Sequence, residues 1–251
     1  MEERAGDLFL DQTRYERMTS SDQQKGLPQP GLERILASGD PMALPAMSAV
    51  TRPTVGLFES IERRSSLRKY ADTPLTLEEL SLLLWSSQGV RRIEPDRFTF
   101  RTVPSAGARH AFETVLLVNR VEGLHPGLYQ YCALEHELRS FESDDDISHR
   151  LVEACLGQTM LETCATAFLW VADRARMVWR YGERGIRYLF LDAGHVCQNL
   201  YLAAEAIGAG ACAIAAFDDD RVNSLLGLDG VDAFTVYIAS MGKRDVVESA
   251  A

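Results

Sequence analysis

The sequence predicts an α+β fold, on three observations. Strand-like and helical segments are mixed along the 251 residues, without the strict strand–helix–strand order of a doubly wound parallel sheet. One segment, from about Glu183 to Ile207, has helical spacing with apolar residues on nearly every side, which predicts a helix buried at the centre of the protein. No internal repeat is present, and the length suits one large domain or two small ones.

The first 53 residues differ from the rest. Residues 19–31 and 41–53 are rich in proline and glycine, which oppose regular elements at this density. We therefore predict an extended N-terminal arm over residues 1–53, with a short helix near Leu8–Arg17, and one domain over residues 54–251. Apolar side chains in the arm favour a segment that wraps along a surface, which includes the surface of a partner. A disordered tail is the alternative.

Helices in the domain are predicted from apolar spacing and from capping residues. Residues 55–64, VGLFESIERR, carry apolar residues at helical spacing, which predicts that they share one buried side. Thr76 and Glu79 have the spacing of a capping box, which predicts an amphipathic helix after them. Gly208 ends the long helix, and Asp218 caps a last one.

Strands are predicted where β-branched and aromatic residues run between turn signals. The predicted strands cover residues 110–119, 164–172, 212–217 and 233–241, and a hairpin is predicted over residues 127–141. Together with the helices, these segments give the mixed order on which the fold class rests.

Composition limits the classes of function. A net charge of −10 argues against binding to nucleic acid or to an anionic membrane surface, which both need a basic face. No apolar run is long enough to span a membrane, and the charged N-terminus predicts no signal peptide. The five cysteines form no C-x-x-C pair and most of them have apolar neighbours, which predicts a reduced, cytoplasmic protein. The five histidines lack paired metal-ligand spacing, so no metal site is expected.

Residues 64–70, RSSLRKY, concentrate positive charge and hydroxyl groups in an acidic chain. Arg64 and Arg68 offer two guanidinium groups, and Ser65 and Ser66 lie between them. Arginine suits phosphate because its planar group donates two hydrogen bonds and keeps its charge. A basic helix end that complements the helix dipole is the plainer interpretation. Composition alone leaves both open.

Two further groups have polar residues in suggestive places. Pro104, Ser105, Ala106 and Gly107 form a turn-like run before a predicted strand, and such a run can present backbone amides to a flat ligand. Within the long helix, Asp192, His195 and Asn199 are spaced to share one face; polar groups satisfied inside the core are the default interpretation. The sequence after Gly208 mimics a dinucleotide fingerprint, but it follows a helix instead of a strand.

Six segments in order resemble the FMN-dependent nitroreductase superfamily, and most closely its SagB/ThcOx-type dehydrogenase branch. They are RSSLRKY, TLEELSLLLWSSQG, PSAGARH, GLYQY, RYGERGIRYLFLDAGHVCQNLYLAA and GAGACAIAAFDDDRVNSLLGLDG, over roughly residues 54–243. Each is weak alone, and their order makes the resemblance specific. It implies an α-β-α sandwich with a central, mostly antiparallel sheet, and a homodimer that binds FMN at its interface.

The resemblance also implies which residues bind FMN. The matching positions for the phosphate and ribityl chain are Arg64, Ser65, Ser66 and Arg68, with weaker support for Lys243 and Arg244. The matching positions near the isoalloxazine are Pro104, Ser105, Ala106 and Gly107, often from the other subunit, and Ile214, Ala215 and Ala216 through their backbone amides. An amide aimed at the N5 or O4 edge would stabilise charge that builds up there.

Two departures from the family pattern affect the function. Many nitroreductases have a glutamate at the position of Ala215, so a generic nitroreductase activity is less favoured. Azoline dehydrogenases of this branch carry a Lys-Tyr pair, which aligns with Arg180 and Tyr181. Arginine essentially cannot lose its proton and act as a base. Tyr181 can still donate a proton, and ordinary interfacial packing is the alternative role for both residues.

The sequence therefore predicts an FMN-dependent oxidoreductase that exchanges a hydride between flavin N5 and a small molecule or modified peptide. The branch resemblance favours the dehydrogenase direction. An NAD(P)H-dependent nitro or quinone reductase is one alternative, since the family often lacks a dedicated NAD(P)H motif. A non-catalytic flavin-binding subunit of a peptide-modifying complex is another, and a flavin-consuming enzyme is a third.

Overall fold

A computed structural model describes residues 4–95, 97–142 and 144–245. Its centre is a seven-stranded sheet with strand order β1-β6-β5-β4-β7-β9-β8, and every neighbouring pair is antiparallel. Strands β2 and β3 form a separate antiparallel hairpin. The strands are β1 Pro41–Ala43, β2 Val90–Glu94, β3 Phe98–Arg101, β4 Phe112–Val118, β5 Gly127–Cys132, β6 Glu137–Ser140, β7 Thr166–Asp173, β8 Ala209–Ile214 and β9 Ala233–Lys243.

Helices cover both faces of this sheet. They are α1 Ala5–Gln12, α2 Leu57–Arg63, α3 Leu77–Gln88, α4 Ile147–Ala154, α5 Met160–Thr163, α6 Arg174–Tyr181, α7 Gly185–Ala206 and α8 Asp219–Leu225. Three short 3₁₀ turns, Tyr15–Arg17, Ala106–Ala108 and Gly182–Arg184, lie between them.

The sheet has a core on each face because side chains alternate along its strands. On β4, Leu116 and Val118 pack with α3 and α7, whereas Val115 and Leu117 pack with α4, α5 and α8. All seven residues of β4 are buried, as expected for a central strand covered on both sides. The predicted α+β class and the α-β-α sandwich are therefore confirmed.

The long helix α7 follows its predicted bounds closely, but the prediction that it is buried all round is wrong for the single chain. Leu189 and Leu200 are fully buried against the sheet, whereas Phe190 is 55% exposed and Leu191 is 61% exposed. The predicted apolar side of α2 is also exposed, with Phe58 86% accessible. These helices present apolar side chains that no described residue of this chain covers.

Local signals predicted most element positions, with one shift that affects the candidate site. The capping box of Thr76 and Glu79 forms as predicted. Strand β8 begins and ends three residues before the predicted strand, so Ala215 and Ala216 lie exposed in the loop after it. The predicted helix that follows begins after Asp218, whose side chain accepts a hydrogen bond from the Arg221 amide.

Residues 4–53 lie along the surface of their own chain. Strand β1 extends the sheet beside β6, and the side chain of Gln130 accepts hydrogen bonds from the Leu36 and Ala37 amides at 2.7 and 3.1 Å. The domain boundary at residue 53 stays a prediction. No helix in the described ranges is long and apolar enough to cross a membrane.

Glu33 anchors this segment and makes its docking depend on pH. The carboxylate accepts hydrogen bonds from the Ala133 and Leu134 amides at 2.6 and 3.2 Å. Burial and the nearby charge of Glu113 raise its pKa from 4.5 to about 7, against the opposing effects of the two amides and of Arg101. The folded chain thus prefers the protonated form, and the stability that Glu33 contributes below pH 4.5 is lost as the pH rises to 7.

We expect Glu33→Gln, which stays neutral and keeps an acceptor oxygen, to gain stability over the wild type as the pH rises. Its advantage should grow by about 2 kcal/mol from acidic to mildly alkaline pH, below the full linkage value because Glu33 is partly exposed. Urea unfolding across this range measures the difference, with Glu59→Gln, whose side chain is 44% exposed, as the control. Parallel pH profiles for the wild type and Glu33→Gln would contradict the prediction.

Candidate functional site

The basic segment 64–70 leaves helix α2 and pairs with the edge strand β8. The Leu67 amide donates to the Ala211 carbonyl at 2.9 Å, next to a parallel bridge between Ser66 and Ala211. Leu67 is buried, whereas Arg68 and both serines are exposed. Gly210 permits this approach, because a Cβ there would lie 2.8 Å from the Leu67 Cβ. The anchored leucine thus displays the polar residues on either side of it.

Tyr201 of α7 joins the basic segment to β8. Its hydroxyl accepts a hydrogen bond from the Ala213 amide at 2.8 Å and lies 3.3 Å from the Ser66 Oγ. The Arg64 guanidinium stacks over its ring, 5.4 Å from the centroid. Sequence reasoning missed this residue. The available signal was a tyrosine in an apolar helix, because a buried tyrosine hydroxyl usually has a hydrogen-bond partner.

The two cations at the end of β9 have different surroundings. The Arg244 guanidinium lies 3.4 Å from the Ser65 Oγ and also pairs with the Glu205 carboxylate. The Lys243 ammonium pairs with Glu79 and donates to a backbone carbonyl of α7's C-terminal end. Arg244 therefore joins the basic segment, whereas the structure commits Lys243 to the capping region of α3.

The basic segment fits an anionic phosphate with a polyol chain. In the described part of the chain, neither Arg64 nor Arg68 has a side-chain hydrogen bond or an ion pair, although the protein has a net charge of −10. The hydroxyls of Ser65, Ser66 and Tyr201 lie beside them. Two unpaired guanidinium groups and three hydroxyls form a donor set that phosphate oxygens and alcohol groups satisfy well.

A pocket of about 540 Å³ borders this segment. Its wall includes Arg68, Lys69 and Gln158. The Gln158 side chain donates to the Ala216 carbonyl at 2.8 Å, which fixes the loop after β8. The Ile214 side chain is buried, so Ile214 can offer a ligand only its backbone, whereas Ala215 and Ala216 are exposed.

The loop of Pro104, Ser105, Ala106 and Gly107 is held from α7. The Ala106 amide donates to the two carboxylate oxygens of Asp192 at 3.2 and 3.3 Å, and Ser105 Oγ accepts from the His110 amide at 2.9 Å. Burial raises the pKa of Asp192, while its bonds to Ser105 and Ala106 oppose that change. Asp192, a core polar residue in the sequence interpretation, thus positions this loop.

Gly107 brings the loop against the predicted catalytic pair. Its φ of 57° lies in the left-handed region, and a Cβ there would overlap the Tyr181 hydroxyl and lie 2.7 Å from Arg180 Nε. The Tyr181 ring meets the Tyr188 ring edge-on at 4.9 Å between centroids. Loop and pair were predicted separately, and the structure brings them together at the end of α6.

The two groups contact different stretches of α7. Asp192 holds the loop, and Tyr201 holds the basic segment nine residues later. At 1.5 Å per residue, the two contacts are separated by about 14 Å along the helix axis. A ligand that touches both groups must therefore be long, or must lie between one chain's loop and another chain's basic segment.

Other chemistries find little support in the described ranges. No group of three potential metal ligands comes together there. The five cysteines are free and buried. Burial raises the pKa of Cys155, Cys164 and Cys197 to about 12, so these thiols stay protonated and are poor nucleophiles.

Comparison with known proteins identifies the family of the chain. The profile of the Nitroreductase family matches residues 61–243. A protein of Methanocaldococcus jannaschii named as a nitroreductase is 35% identical over 172 residues, which cover 68% of this chain and 84% of that protein. The trifolitoxin-processing protein TfxB of Rhizobium leguminosarum bv. trifolii is 30% identical over 146 residues, which cover 55% of this chain and 39% of TfxB.

Solved structures share the fold. A chain from Anabaena variabilis, named as a nitroreductase, superposes with a TM-score of 0.64 at 32% identity, over 75% of this chain and 38% of that chain. The NADPH:FMN oxidoreductase of Vibrio harveyi, solved with NAD⁺, superposes with a TM-score of 0.54 at 18% identity, over 75% of this chain and 69% of that chain. At 18% identity, the similarity to the Vibrio harveyi enzyme shows only a shared fold.

Proposed function

The chain belongs to the nitroreductase family, whose oxidoreductases use FMN, and we propose that it is a dehydrogenase that exchanges a hydride with a small organic substrate or a modified peptide. The observation that carries this proposal is the basic segment on β8, where Arg64 and Arg68 have no ion pair with any described residue and lie beside three hydroxyl groups. This donor set matches the phosphate and ribityl chain of FMN.

We assign the phosphate end to Arg64, Ser65, Ser66 and Arg244, and Arg68 to the pocket beside them. Tyr201 keeps Arg64 in place through its ring and Ser66 through its hydroxyl group. When bound, FMN would supply the two-electron chemistry of hydride transfer. The backbone amides of residues 214–216 would donate to the ring edge, where negative charge builds up on reduction. Lys243 takes no part in this assignment because Glu79 holds its ammonium.

We propose a homodimer, in which the loop of Pro104–Gly107 from one chain faces the basic segment of its partner. Nitroreductases act as dimers. The separation of the two groups along α7 supports such sharing. So do the exposed apolar side chains of α2 and α7, Phe58, Phe190 and Leu191, since monomers rarely expose a large contiguous apolar patch.

We propose Tyr181 as the residue that donates a proton to the substrate or takes one from it through its hydroxyl. Arg180 stays charged and orients the substrate, because a guanidinium does not act as a base at working pH. Asp192 acts as a positioning residue, since it fixes the loop that packs against both. The free, buried cysteines fit a reducing compartment, and we keep the cytoplasm as the proposed location.

Two alternative functions have their own support. An NAD(P)H-dependent reductase of nitro or quinone compounds accords with the relative from Methanocaldococcus jannaschii named as a nitroreductase. A subunit of a peptide-modifying complex accords with the name of TfxB, a trifolitoxin-processing protein. The arginine at position 180 weighs against azoline oxidation by a lysine base.

Size-exclusion chromatography with light scattering and flavin absorbance tests the proposal in one experiment. We expect a dimer that carries about one FMN per chain, and the released chromophore identifies the flavin.

The rate of flavin reduction separates the candidate functions. Slow flavin reduction by NADH and NADPH, with fast reduction by a candidate substrate, would support the dehydrogenase. Fast reduction by either nucleotide would favour the reductase instead. A colourless monomer that takes up no added FMN would contradict the proposal.

A further inference from the structure

A pocket of about 480 Å³ lies between the N-terminal segment and the helices α6 and α7. Tyr15, Met18 and five polar residues between Thr19 and Gln24 form one wall, and Arg180, Tyr181, Arg184 and Tyr188 form the other. We propose that this pocket binds a planar, anionic organic substrate, a ring compound with a carboxylate, which is anchored by Arg180 and presented to Tyr181. This inference rests on the proposed function, because it takes Tyr181 as an active-site residue.

The charge of the pocket supports an anionic ligand. Two arginines line it, and no carboxylate does so among the described residues. Arg184 is committed, since it donates to the Tyr188 hydroxyl at 2.9 Å and to the Thr13 carbonyl at 2.8 Å. The Arg180 guanidinium has neither a side-chain hydrogen bond nor an ion pair within the described ranges. It lies over the Tyr181 ring, 5.6 Å from the centroid. A carboxylate would satisfy both ends of this guanidinium.

Three acidic residues adjoin the lining residues along the chain, and none of them lines the pocket itself. Glu16 has no ion pair among the described residues, and the other two have partners. Glu183 pairs with Arg174 at 3.0 Å, and Asp22 pairs with Lys25 at 3.2 Å. Arg109 lies close enough to Arg180 for their charges to interact, so it adds positive potential on the protein side. The positive charge of Arg180 is therefore available to an anionic ligand.

The shape and lining of the pocket support a flat ring. Tyr181 and Tyr188 meet edge to face, which leaves aromatic surface available on the helix side. Tyr15 and Met18 lie on the opposite wall, and Tyr15 is 78% exposed. Aromatic faces and a thioether contact planar rings favourably. A carboxylate held by Arg180 would thus carry its ring between the two walls.

The N-terminal wall is fixed to the same helix as Arg180. The Gln23 amide donates to the Trp179 carbonyl at 2.8 Å, and the Trp179 indole donates to the Leu27 carbonyl at 3.0 Å. The Ser21 amide donates to the side-chain oxygen of Gln24 at 2.9 Å, and this bond closes a turn. Residues 15–24 therefore keep a constant relation to Arg180 and Tyr181, and we assign them the role of selecting the substrate ring.

Calorimetry with 4-nitrobenzoate and its neutral methyl ester tests the anionic preference without catalysis. The ligands are titrated into the purified full-length protein, both free of flavin and loaded with FMN. We expect the acid to bind the wild type about tenfold or more tightly than the ester, as for a hydrogen-bonded charge pair. Arg180→Gln should remove the difference, and Arg180→Lys should keep most of it.

Arg174→Gln is the matched control, because Arg174 lies on the same helix and pairs with Glu183 outside the pocket. It should leave the preference for the acid unchanged. Equal affinity for acid and ester, or a preference that survives in Arg180→Gln, would overturn the inference. FMN binding with no such preference would refute the anionic pocket alone. A preference in flavin-free protein that never binds FMN would support the pocket and refute the proposed function.

Discussion

Replacement of Arg64 by alanine is expected to weaken FMN binding by one to two orders of magnitude. Among the described residues, the Arg64 guanidinium contacts the face of Tyr201 and makes no ion pair, so it is available to a phosphate. A hydrogen bond to a charged group contributes about 1.5–3 kcal/mol, and each 1.4 kcal/mol is a factor of ten in affinity. Quenching of flavin fluorescence during titration of the flavin-free protein measures the dissociation constant.

The neighbouring Arg63 offers a matched control. It is exposed and pairs with Glu59 one helical turn away at 2.7 Å, so Arg63→Ala should leave FMN affinity unchanged. Arg64→Lys should lose part of the affinity, because an ammonium keeps the charge but cannot donate bidentately. Equal affinity of the wild type and Arg64→Ala would show that residues 64–70 are a solvated helix end and not a phosphate site.

The sequence predicted elements well where local signals were strong. The capping box of Thr76, the hairpin of β5 and β6, and the strand β7 all follow from short-range patterns. Helix α6 was missed because three of its eight residues are arginines and only Arg176 and Met177 are buried. The burial of α7 was predicted wrongly on one face. Apolar periodicity shows which residues avoid water, and it does not show what covers them.

In the candidate site, too, local motifs were predicted and long-range contacts were not. Residues adjacent in sequence, such as Arg64, Ser66 and Arg68, were found as one motif. Contacts between distant segments were not: Ser66 meets Tyr201, and Ala106 meets Asp192, across 135 and 86 positions of sequence. A single sequence carries no record of such pairs. The link between Gly107 and Tyr181 was hidden for the same reason, although both residues had been singled out.

The buried ion pair between Glu113 and Arg176 is the least predictable feature of the fold, and it supports the candidate catalytic pair. Both side chains are 2% exposed. Arg176 also donates to the Leu32 and His110 carbonyls at 3.0 Å each, and Glu113 accepts from the Arg34 amide at 2.7 Å. Helix α6, the N-terminal segment and β4 therefore meet at one pair of charges.

Glu113→Ala is expected to cost about 3 kcal/mol of unfolding free energy, because it removes the closer counter-charge of the buried Arg176 guanidinium and leaves only Asp173, 3.5 Å from Nε. For a chain of this size, this corresponds to a fall in Tm of roughly 10 °C. Thermal unfolding followed by circular dichroism measures it. Exposed Glu59→Ala removes a surface pair and should cost about 0.5 kcal/mol or less.

A double variant separates loss of the charge pair from loss of packing. Replacement of a whole buried pair by apolar residues of similar size is often nearly neutral, so Glu113→Leu with Arg176→Met should recover most of the stability. Its α6 would still lack the bonds from Arg176 to the N-terminal segment. We therefore expect a stable protein in which Arg180 loses its preference for the carboxylate. A double variant as unstable as Glu113→Ala would show that the backbone contacts of Arg176, and not the ion pair, hold α6 in place.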